Sequence, residues 1–216
     1  MVHPALLGVK LVLFDLDGTL VDSEDFIVWS FTEAGRLTGI QVDPELVREM
    51  IGYPLESLVR VILGGVSEEK LREFTEVRRR LVSENWFKRV RVYPDVPPVL
   101  EYLSSNGFTL GVASSSVRER LELFLEYFGL TRFFKTISGV EPGVRGKPEP
   151  DVLLRALKAT GVDSSEAVYI GDRIVDCIAA KRARVRSVLV DRGWLKNKGE
   201  CTPDYTIPSL LALINN

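Results

Sequence analysis

The hydrophobic positions of this 216-residue chain follow two alternating periods. Five short runs rich in β-branched residues have the length and composition of buried strands. They cover residues 10–14, 109–113, 135–138, 167–170 and 186–190. Between the later runs, apolar residues recur at helical spacing, as at Leu121, Leu125 and Phe128. Strands that alternate with helices are typical of a parallel sheet covered on both faces, so we predict a doubly wound α/β fold.

The interval from Val21 to about Tyr93 breaks this alternation, because it contains helical stripes and nothing that reads as a strand. The stripes predict four helices, starting near residue 26, at 44–50, at 55–63, and from a serine cap at 67 toward 86. A loop of roughly seventy residues without structure would be improbable inside a compact domain. We therefore expect residues 21–92 to form a small helical cap domain that acts as a hinged lid. The remaining residues, 1–20 and 93–216, would form a Rossmann-like catalytic core.

Composition excludes several classes of partner. A net charge of -2 and a pI near 5.7 provide no basic field for nucleic acid or an anionic membrane. No apolar stretch reaches the ~20 residues that cross a bilayer. The two cysteines, Cys177 and Cys201, are too few and too far apart in sequence to suggest a disulfide framework or a zinc knuckle. We expect a cytoplasmic protein, a monomer or small homo-oligomer, that binds neither nucleic acid nor membrane.

Polar residues follow four of the predicted strands. In chain order they are Asp15 and Asp17, then Ser114 and Ser115, then Lys147, and finally Asp172 with Asp176 one helical turn later. Each has an ordinary explanation as a turn residue, a helix cap or a solvated lysine. Their coincidence at four equivalent strand ends favours a shared site, because ligands bind at the carboxyl ends of parallel strands.

Phosphoryl transfer through an aspartyl phosphate uses such a set of residues. A phosphate dianion at ~4 Å from a carboxylate costs on the order of 4 kcal/mol per pair of unit charges at an effective dielectric of 20, so the site needs cations. Mg²⁺ between Asp15, Asp172 and the phosphate, with Lys147 as a second positive group, would meet that need. Asp17 is two residues beyond Asp15 in an extended segment, so both side chains point the same way. It is therefore placed to act as general acid and then general base.

These residues resemble the motifs of the haloacid dehalogenase superfamily, in the branch of the phosphoglycolate phosphatases and β-phosphoglucomutases. The stretch DLDGTLVDSE at 15–24 is similar to the first motif, and Ser114 stands where the second motif has its hydroxyl. GKPEPD at 146–151 and GDRIVD at 171–176 are similar to the third and fourth. The resemblance covers essentially the whole chain, with the helical interval in the place of the family's cap.

The resemblance assigns a role to each site residue. The implied nucleophile is Asp15, the implied acid/base is Asp17, and the implied ligands of Mg²⁺ are Asp15, Asp172 and the backbone carbonyl of Asp17. The implied phosphate-binding residues are Ser114, Ser115 and Lys147, with Asp176 supporting the metal ligands from behind. Family members commonly carry Ser or Thr where this chain has Arg173. We expect Arg173 to pair with Asp176 rather than to contact an anionic substrate.

The same residues separate the relatives. Asp17 argues against the dehalogenases proper, whose carbon-halogen leaving group needs no proton. β-Phosphoglucomutases place a histidine where this chain has Ile27, and the only histidine here is His3. The cap segment IGYPLE at 51–56 is similar to that of phosphoglycolate-type phosphatases, and Tyr53 in it would meet the substrate or simply pack within the cap.

We predict a Mg²⁺-dependent phosphatase that hydrolyses a small phosphorylated metabolite, phosphoglycolate-like or sugar-phosphate-like, through an aspartyl phosphate. A phosphomutase of the β-phosphoglucomutase type stays an alternative. A phospho-accepting regulatory domain without turnover is an alternative of a different class. The basic residues of the cap are either substrate contacts or solvated surface, and we expect solvated surface; they are Arg60, Arg78 to Arg80, Lys88 and Arg89.

Overall fold

A six-stranded sheet in which every neighbouring pair of strands is parallel lies at the centre of the molecule. The computed structural model describes residues 3–193 and 200–214. In chain order the strands are β1 (Leu11–Phe14), β4 (Thr109–Val117), β5 (Thr136–Val140), β6 (Ala167–Gly171), β7 (Arg186–Val190) and β8 (Tyr205–Ile207). Across the sheet they lie in the order β5-β4-β1-β6-β7-β8. All residues of β1 and β6 are buried, as is typical of central parallel strands.

Helices account for most of the remaining described residues. They are α1 (Glu24–Thr38), α2 (Pro44–Met50), α3 (Leu55–Ile62), α4 (Glu68–Arg89), α5 (Val96–Ser105), α6 (Arg118–Tyr127), α7 (Asp151–Thr160) and α8 (Ile174–Ala183). Short 3-10 turns at 4–6, 131–133, 164–166 and 210–213 complete the chain's regular structure among these residues.

Two separate apolar clusters cover the two faces of the sheet. Alternate residues of β1 point to opposite faces, so Val12 and Phe14 join the cluster formed with α5 and α6. Leu11 and Leu13 join the other cluster, formed with α7 and α8. This arrangement confirms the predicted doubly wound α/β fold.

Helices α1 to α4, here called the helical segment, lie in the chain between β1 and β4 and have an apolar cluster of their own. The cap of α4 is as predicted, since the Ser67 hydroxyl accepts a hydrogen bond from the N–H of Lys70. The ends of the segment also join the core, where Trp86 of α4 stacks on Phe124 of α6 with ring centroids 4.3 Å apart.

Some strand predictions were wrong at their boundaries. The interval that read as helical alone contains β2 (Val21–Asp22) and β3 (Arg91–Val92), which pair antiparallel where the chain enters and leaves the helical segment. Two residues are too few to show a strand period, which is why the pattern missed them. Strand β4 continues four residues past its predicted end at 113, because pairing with β5 resumes at Val117 after a register shift that spans the three serines.

The expectation for the cysteines was also wrong. Cys177 in α8 and Cys201 just before β8 form a disulfide, with their Cα atoms 6.0 Å apart. A sequence separation of 24 residues does not keep them apart, because α8 packs on β7 and β7 pairs with β8. The cysteine content therefore lends no support to a reducing compartment. Within the described part of the chain, no helix combines the length and the apolar character needed to cross a membrane.

Candidate active site

The centre of the site is a buried ion pair between Asp15, which follows the first predicted strand, and Lys147, which follows the third. Asp15 directly follows β1, and its backbone N–H donates to the carbonyl of Ile170 in the neighbouring strand β6. Lys147 comes from the loop between β5 and α7 and is fully buried. Its Nζ lies 2.8 Å from Oδ1 of Asp15 and 2.6 Å from Oδ1 of Asp176. A buried ammonium between two buried carboxylates fixes the position of all three side chains.

Three buried carboxylates, those of Asp15, Asp172 and Asp176, each place an oxygen within 4.8 Å of the others. Oδ1 of Asp15 is buried, and apart from its ion pair with Lys147 the described residues offer it no hydrogen-bond donor. A buried cluster of carboxylate oxygens with few donors is the kind of ligand set that a hard divalent cation prefers. The site residues therefore fit a metal ion.

Burial controls the protonation of two of these carboxyls. It raises the pKa of Asp15 to about 6, while the charge of Lys147 opposes the rise. It raises the pKa of Asp172 to about 7, against the opposing charge of Arg173 and with the added repulsion of Asp176. A metal cation nearby would therefore lower the pKa of both carboxyls, because it would stabilise their ionised forms.

Asp176 already uses both of its oxygens. Oδ2 accepts the backbone N–H groups of Asp172 and Arg173, at 3.1 and 2.9 Å. Oδ1 accepts hydrogen bonds from Lys147 Nζ at 2.6 Å and from the Tyr169 hydroxyl at 3.2 Å. This arrangement orients Asp172 and Lys147, which suits the supporting role expected of Asp176 better than that of a direct ligand.

Asp17 is held by a different set of donors. Its Oδ1 accepts from Ser23 at 2.6 Å and from Arg120 at 2.9 Å, and its Oδ2 accepts from Arg120 at 2.6 Å and from Ser116 at 3.3 Å. Burial opposes ionisation, but the charge and hydrogen bonds of Arg120, with those of the two serines, lower the pKa of Asp17 to about 2. In this arrangement Asp17 is an ionised, bidentate partner of Arg120.

The two predicted phosphate-binding serines lie at the same edge of the sheet and are buried. The hydroxyl of Ser115 accepts the backbone N–H of Lys147 at 3.0 Å, so it holds the loop that carries the lysine. Ser114 accepts a long contact, 3.5 Å, from the N–H of Ser116. Its hydroxyl hydrogen is thus free to be donated to a ligand.

The prediction for Arg173 was wrong about its partner. Its Nε donates to Oδ2 of Asp172 at 2.9 Å, and its guanidinium also pairs with the buried carboxylate of Glu24 in α1. Only its backbone N–H contacts Asp176. Glu24 in turn accepts from Arg48 of α2 at 3.0 Å. Arg173 therefore links a site carboxylate to the helical segment, which sequence spacing alone did not reveal.

Sequence reasoning missed several residues that contact the site. They are Thr19, which donates to Oδ1 of Asp172 at 3.0 Å, together with Ser23, Ser116, Arg120 and Tyr169. Arg120 lies in the first turn of α6, four positions after Ser116 at the end of β4, and this closeness in sequence is the signal that links them. The stretch RER at 118–120 reads as solvated surface, so that signal is weak on its own.

The fold and the carboxylate–lysine site together define an α/β enzyme whose polar groups meet at the carboxyl ends of parallel strands. A family profile described as haloacid dehalogenase-like hydrolase matches residues 12–190. The chain belongs to this family, as its motifs indicated.

Individual relatives agree with that assignment. The chain is 33% identical over 213 residues to a phosphoglycolate phosphatase of Aquifex aeolicus, a match that covers 96% of this chain and 98% of the relative. It is 30% identical over 213 residues to the pyrophosphatase PpaX of Bacillus velezensis, covering 96% and 95%. The solved structure of a predicted phosphoglycolate phosphatase from Haemophilus somnus superposes with a TM-score of 0.86 at 24% identity, covering 96% of this chain and 97% of that one. The chain is a phosphatase of this family.

Proposed function

We propose that the protein is a Mg²⁺-dependent phosphomonoester hydrolase that acts on a small phosphorylated metabolite through a phosphorylated Asp15. The observation that carries the proposal is the buried carboxylate of Asp15 at the end of the central strand, paired with Lys147 and set beside Asp172 and Asp176. One oxygen of this carboxylate would bind the metal ion while the other attacks phosphorus, with Lys147 and the metal ion offsetting the negative charges.

The chemistry follows from the residues in hand. A carboxylate oxygen of Asp15 forms a bond to phosphorus as the ester oxygen leaves, and Asp17 supplies the proton that the leaving oxygen takes up. Water then attacks the phosphorus of the aspartyl phosphate and gives a proton to Asp17, while the bond from phosphorus to the Asp15 oxygen breaks, which releases inorganic phosphate and restores the Asp15 carboxylate. Lys147 and the Ser114 hydroxyl bind the phosphoryl oxygens. Mg²⁺, held by Asp15, Asp172 and the backbone carbonyl of Asp17, would supply the charge that offsets repulsion between the phosphate and the carboxylates.

The contacts of Asp17 set a condition on this mechanism. A carboxyl with a pKa of about 2 is ionised at neutral pH, so it cannot donate a proton from the arrangement with Arg120 described above. Proton donation by Asp17 therefore requires that the Asp17–Arg120 pair loosen when substrate is bound. The ionised form is already suited to the second step, in which Asp17 accepts a proton from water.

We further propose that residues 21–92 act as a lid on the core formed by residues 1–20 and 93–216. Two contacts support this role. A side-chain carbon built on Gly52 would lie 2.8 Å from Val175, and one built on Gly146 would lie 2.8 Å from Pro54. The IGYP stretch of the helical segment thus lies directly against the loop that carries Lys147 and against the start of α8. When the lid opens, these two surfaces would separate, and the β2–β3 pair, where the chain enters and leaves the helical segment, would be the hinge.

The test is turnover of p-nitrophenyl phosphate with Mg²⁺. We expect many turnovers per molecule, loss of at least about a thousandfold in Asp15→Asn, and slower turnover in Asp17→Asn. Asp22→Asn is the matched control, because Asp22 lies in the same stretch but is exposed. Near-normal activity in Asp15→Asn would contradict the proposal, and a single stable phosphorylation would instead indicate the phospho-accepting domain.

The structure gives no support to the phosphomutase alternative. His3, the only histidine of the chain, accepts the N–H of Ala5 through Nδ1 and packs against the ring of Tyr205 beside the edge strand β8. It is therefore engaged in local structure and offers no proton-transfer group of that kind at the end of β1.

A further inference from the structure

Arg78 in α4 differs from the arginines beside it. Arg79 and Arg80 are exposed, and Arg79 pairs with Glu76 one turn away. The side chain of Arg78 is half-buried, and its Nε is buried without a hydrogen-bond partner. No hydrogen bond or ion pair joins its guanidinium to another of the residues that the structure describes. The expectation that this residue is solvated surface was therefore wrong.

The guanidinium of Arg78 is nevertheless held in place. Its Cζ lies 4.1 Å from the centroid of the Phe31 ring, and Phe31 is fully buried in the helical segment. Stacking on an aromatic face orients the plane of the guanidinium while leaving its N–H groups available at the edge. Arg78 is thus a fixed cation with unused donors.

The position of Arg78 relates it to the candidate site. Helix α1, which carries Phe31, follows directly after Ser23, and the Ser23 hydroxyl donates to Asp17. In agreement with this proximity, burial and then the positive charge of Arg120 lower the pKa of Arg78 to about 9, against the opposing negative charge of Asp17. The two helices that carry the arginines are in contact, because Trp86 of α4 stacks on Phe124 of α6, and Arg120 lies 4.5 Å over the same Phe124 ring.

A desolvated cation without a counterion is unfavourable, and an anion that enters the site would relieve that cost. Asp17 does not play this part, because both of its oxygens are engaged by Arg120 and the two serines. A guanidinium fork matches carboxylate and phosphate groups in shape as well as in charge. An anionic group of a bound ligand would match the donors that Arg78 leaves unused.

We propose that Arg78 is a specificity-determining residue that binds a second anionic group of the substrate, a carboxylate or a phosphate a few bonds from the phosphoryl group held at Asp15. This inference rests on the proposed function and narrows its substrate class to short, doubly anionic phosphate compounds. The relatives named phosphoglycolate phosphatase and pyrophosphatase have names that describe such compounds.

The test compares pairs of substrates that differ in the second anion. Phosphoglycolate and ethyl phosphate share a carbon–oxygen skeleton, but only phosphoglycolate has a carboxylate; pyrophosphate tests a phosphate in its place. We expect Arg78→Met, which keeps the packing against Phe31, to lower kcat/KM for phosphoglycolate, pyrophosphate or both by about 10- to 100-fold. The value for ethyl phosphate should change much less. The compound that loses more identifies the second anion as carboxylate or phosphate.

Two further variants keep the result interpretable. Arg78→Lys retains the charge but lacks the planar fork, so it should recover only part of the lost preference, whereas Arg80→Gln, at an exposed neighbour, should leave the preference unchanged. An equal loss on all three substrates, or no loss on any, would overturn the role of Arg78 while the wild-type turnover still supports the proposed function. If the wild-type enzyme releases phosphate from none of these substrates or from p-nitrophenyl phosphate, the proposed function is wrong and the subsite with it.

Discussion

Replacing Lys147 with methionine tests the electrostatic design of the site, because methionine has a similar volume and lacks the charge. At distances of 2.8 and 2.6 Å, each attraction of the ammonium to Asp15 and Asp176 is worth about 6 kcal/mol at an effective dielectric of 20. Much of that is offset by the cost of burying the charge. Removing one partner of a buried pair leaves the other charge uncompensated, so we expect a net loss of about 3–5 kcal/mol in the free energy of unfolding.

The effect of pH on this loss has a definite sign. Lys147 lowers the pKa of Asp15, which burial raises to about 6, so removing the lysine raises that pKa further. A carboxyl whose folded-state pKa lies above the unfolded value contributes stability that is present at low pH and is lost as pH rises through the folded-state pKa. The deficit of Lys147→Met should therefore be small near pH 4 and grow as pH rises through about 6 and above.

The assay is urea denaturation of the wild type and the variant in EDTA, from pH 4.5 to 8, followed by far-UV circular dichroism. Lys158→Met is the control, because Lys158 is an exposed lysine of α7 and its loss should change stability by less than about 0.5 kcal/mol. A deficit below about 1 kcal/mol at pH 8, or one that does not change between pH 4.5 and 8, would contradict the ion-pair explanation.

Three other predictions follow from the geometry. Gly18→Ala should lower the free energy of unfolding by more than the about 1–2 kcal/mol that a left-handed backbone costs, since φ of Gly18 is +82°. The added loss arises because the new Cβ would lie 2.3 Å from Oδ2 of Asp172. Thermal unfolding measures this loss, and an unchanged Tm would contradict it. Mg²⁺ affinity, measured by isothermal titration calorimetry, should fall steeply from pH 7.5 to 5, because Asp15 and Asp172 have pKa values raised to about 6 and 7 and protons then compete with the metal; a constant affinity would argue against these ligands. Cys201→Ser should lower the free energy of unfolding by about 3 kcal/mol, because the bond to Cys177 closes a loop with a sequence separation of 24; equal stability with and without a reductant would show that the disulfide does not contribute.

The sequence was informative about the sheet because its central strands are buried on both faces and therefore read as continuous apolar runs. Asp15, Lys147 and Asp172 could be placed at one edge for the same reason, since parallel strands bring their carboxyl ends together. Strand β8, by contrast, has three residues and lies at the sheet edge, so it leaves little pattern to detect.

The residues that the sequence did not reveal act through contacts between distant elements. Arg120 binds Asp17 across 103 positions and Arg173 binds Glu24 across 149, and no local period encodes either pair. Arg78 looks like any arginine in the run RRR until the stacking on Phe31 shows that it faces inward. Pairing across the fold, rather than residue type, decides which charged side chains belong to the site.

The proposed mechanism requires a phosphorylated Asp15, and this intermediate can be trapped during turnover. The enzyme is mixed with Mg²⁺ and p-nitrophenyl phosphate, quenched in the steady state with borohydride, and mapped by peptide mass spectrometry. Because borohydride reduces an aspartyl phosphate to homoserine, we predict homoserine at position 15 in a sample that has released many equivalents of phosphate. Rapid turnover with Asp15 unmodified, or with the label on another residue, would contradict the account.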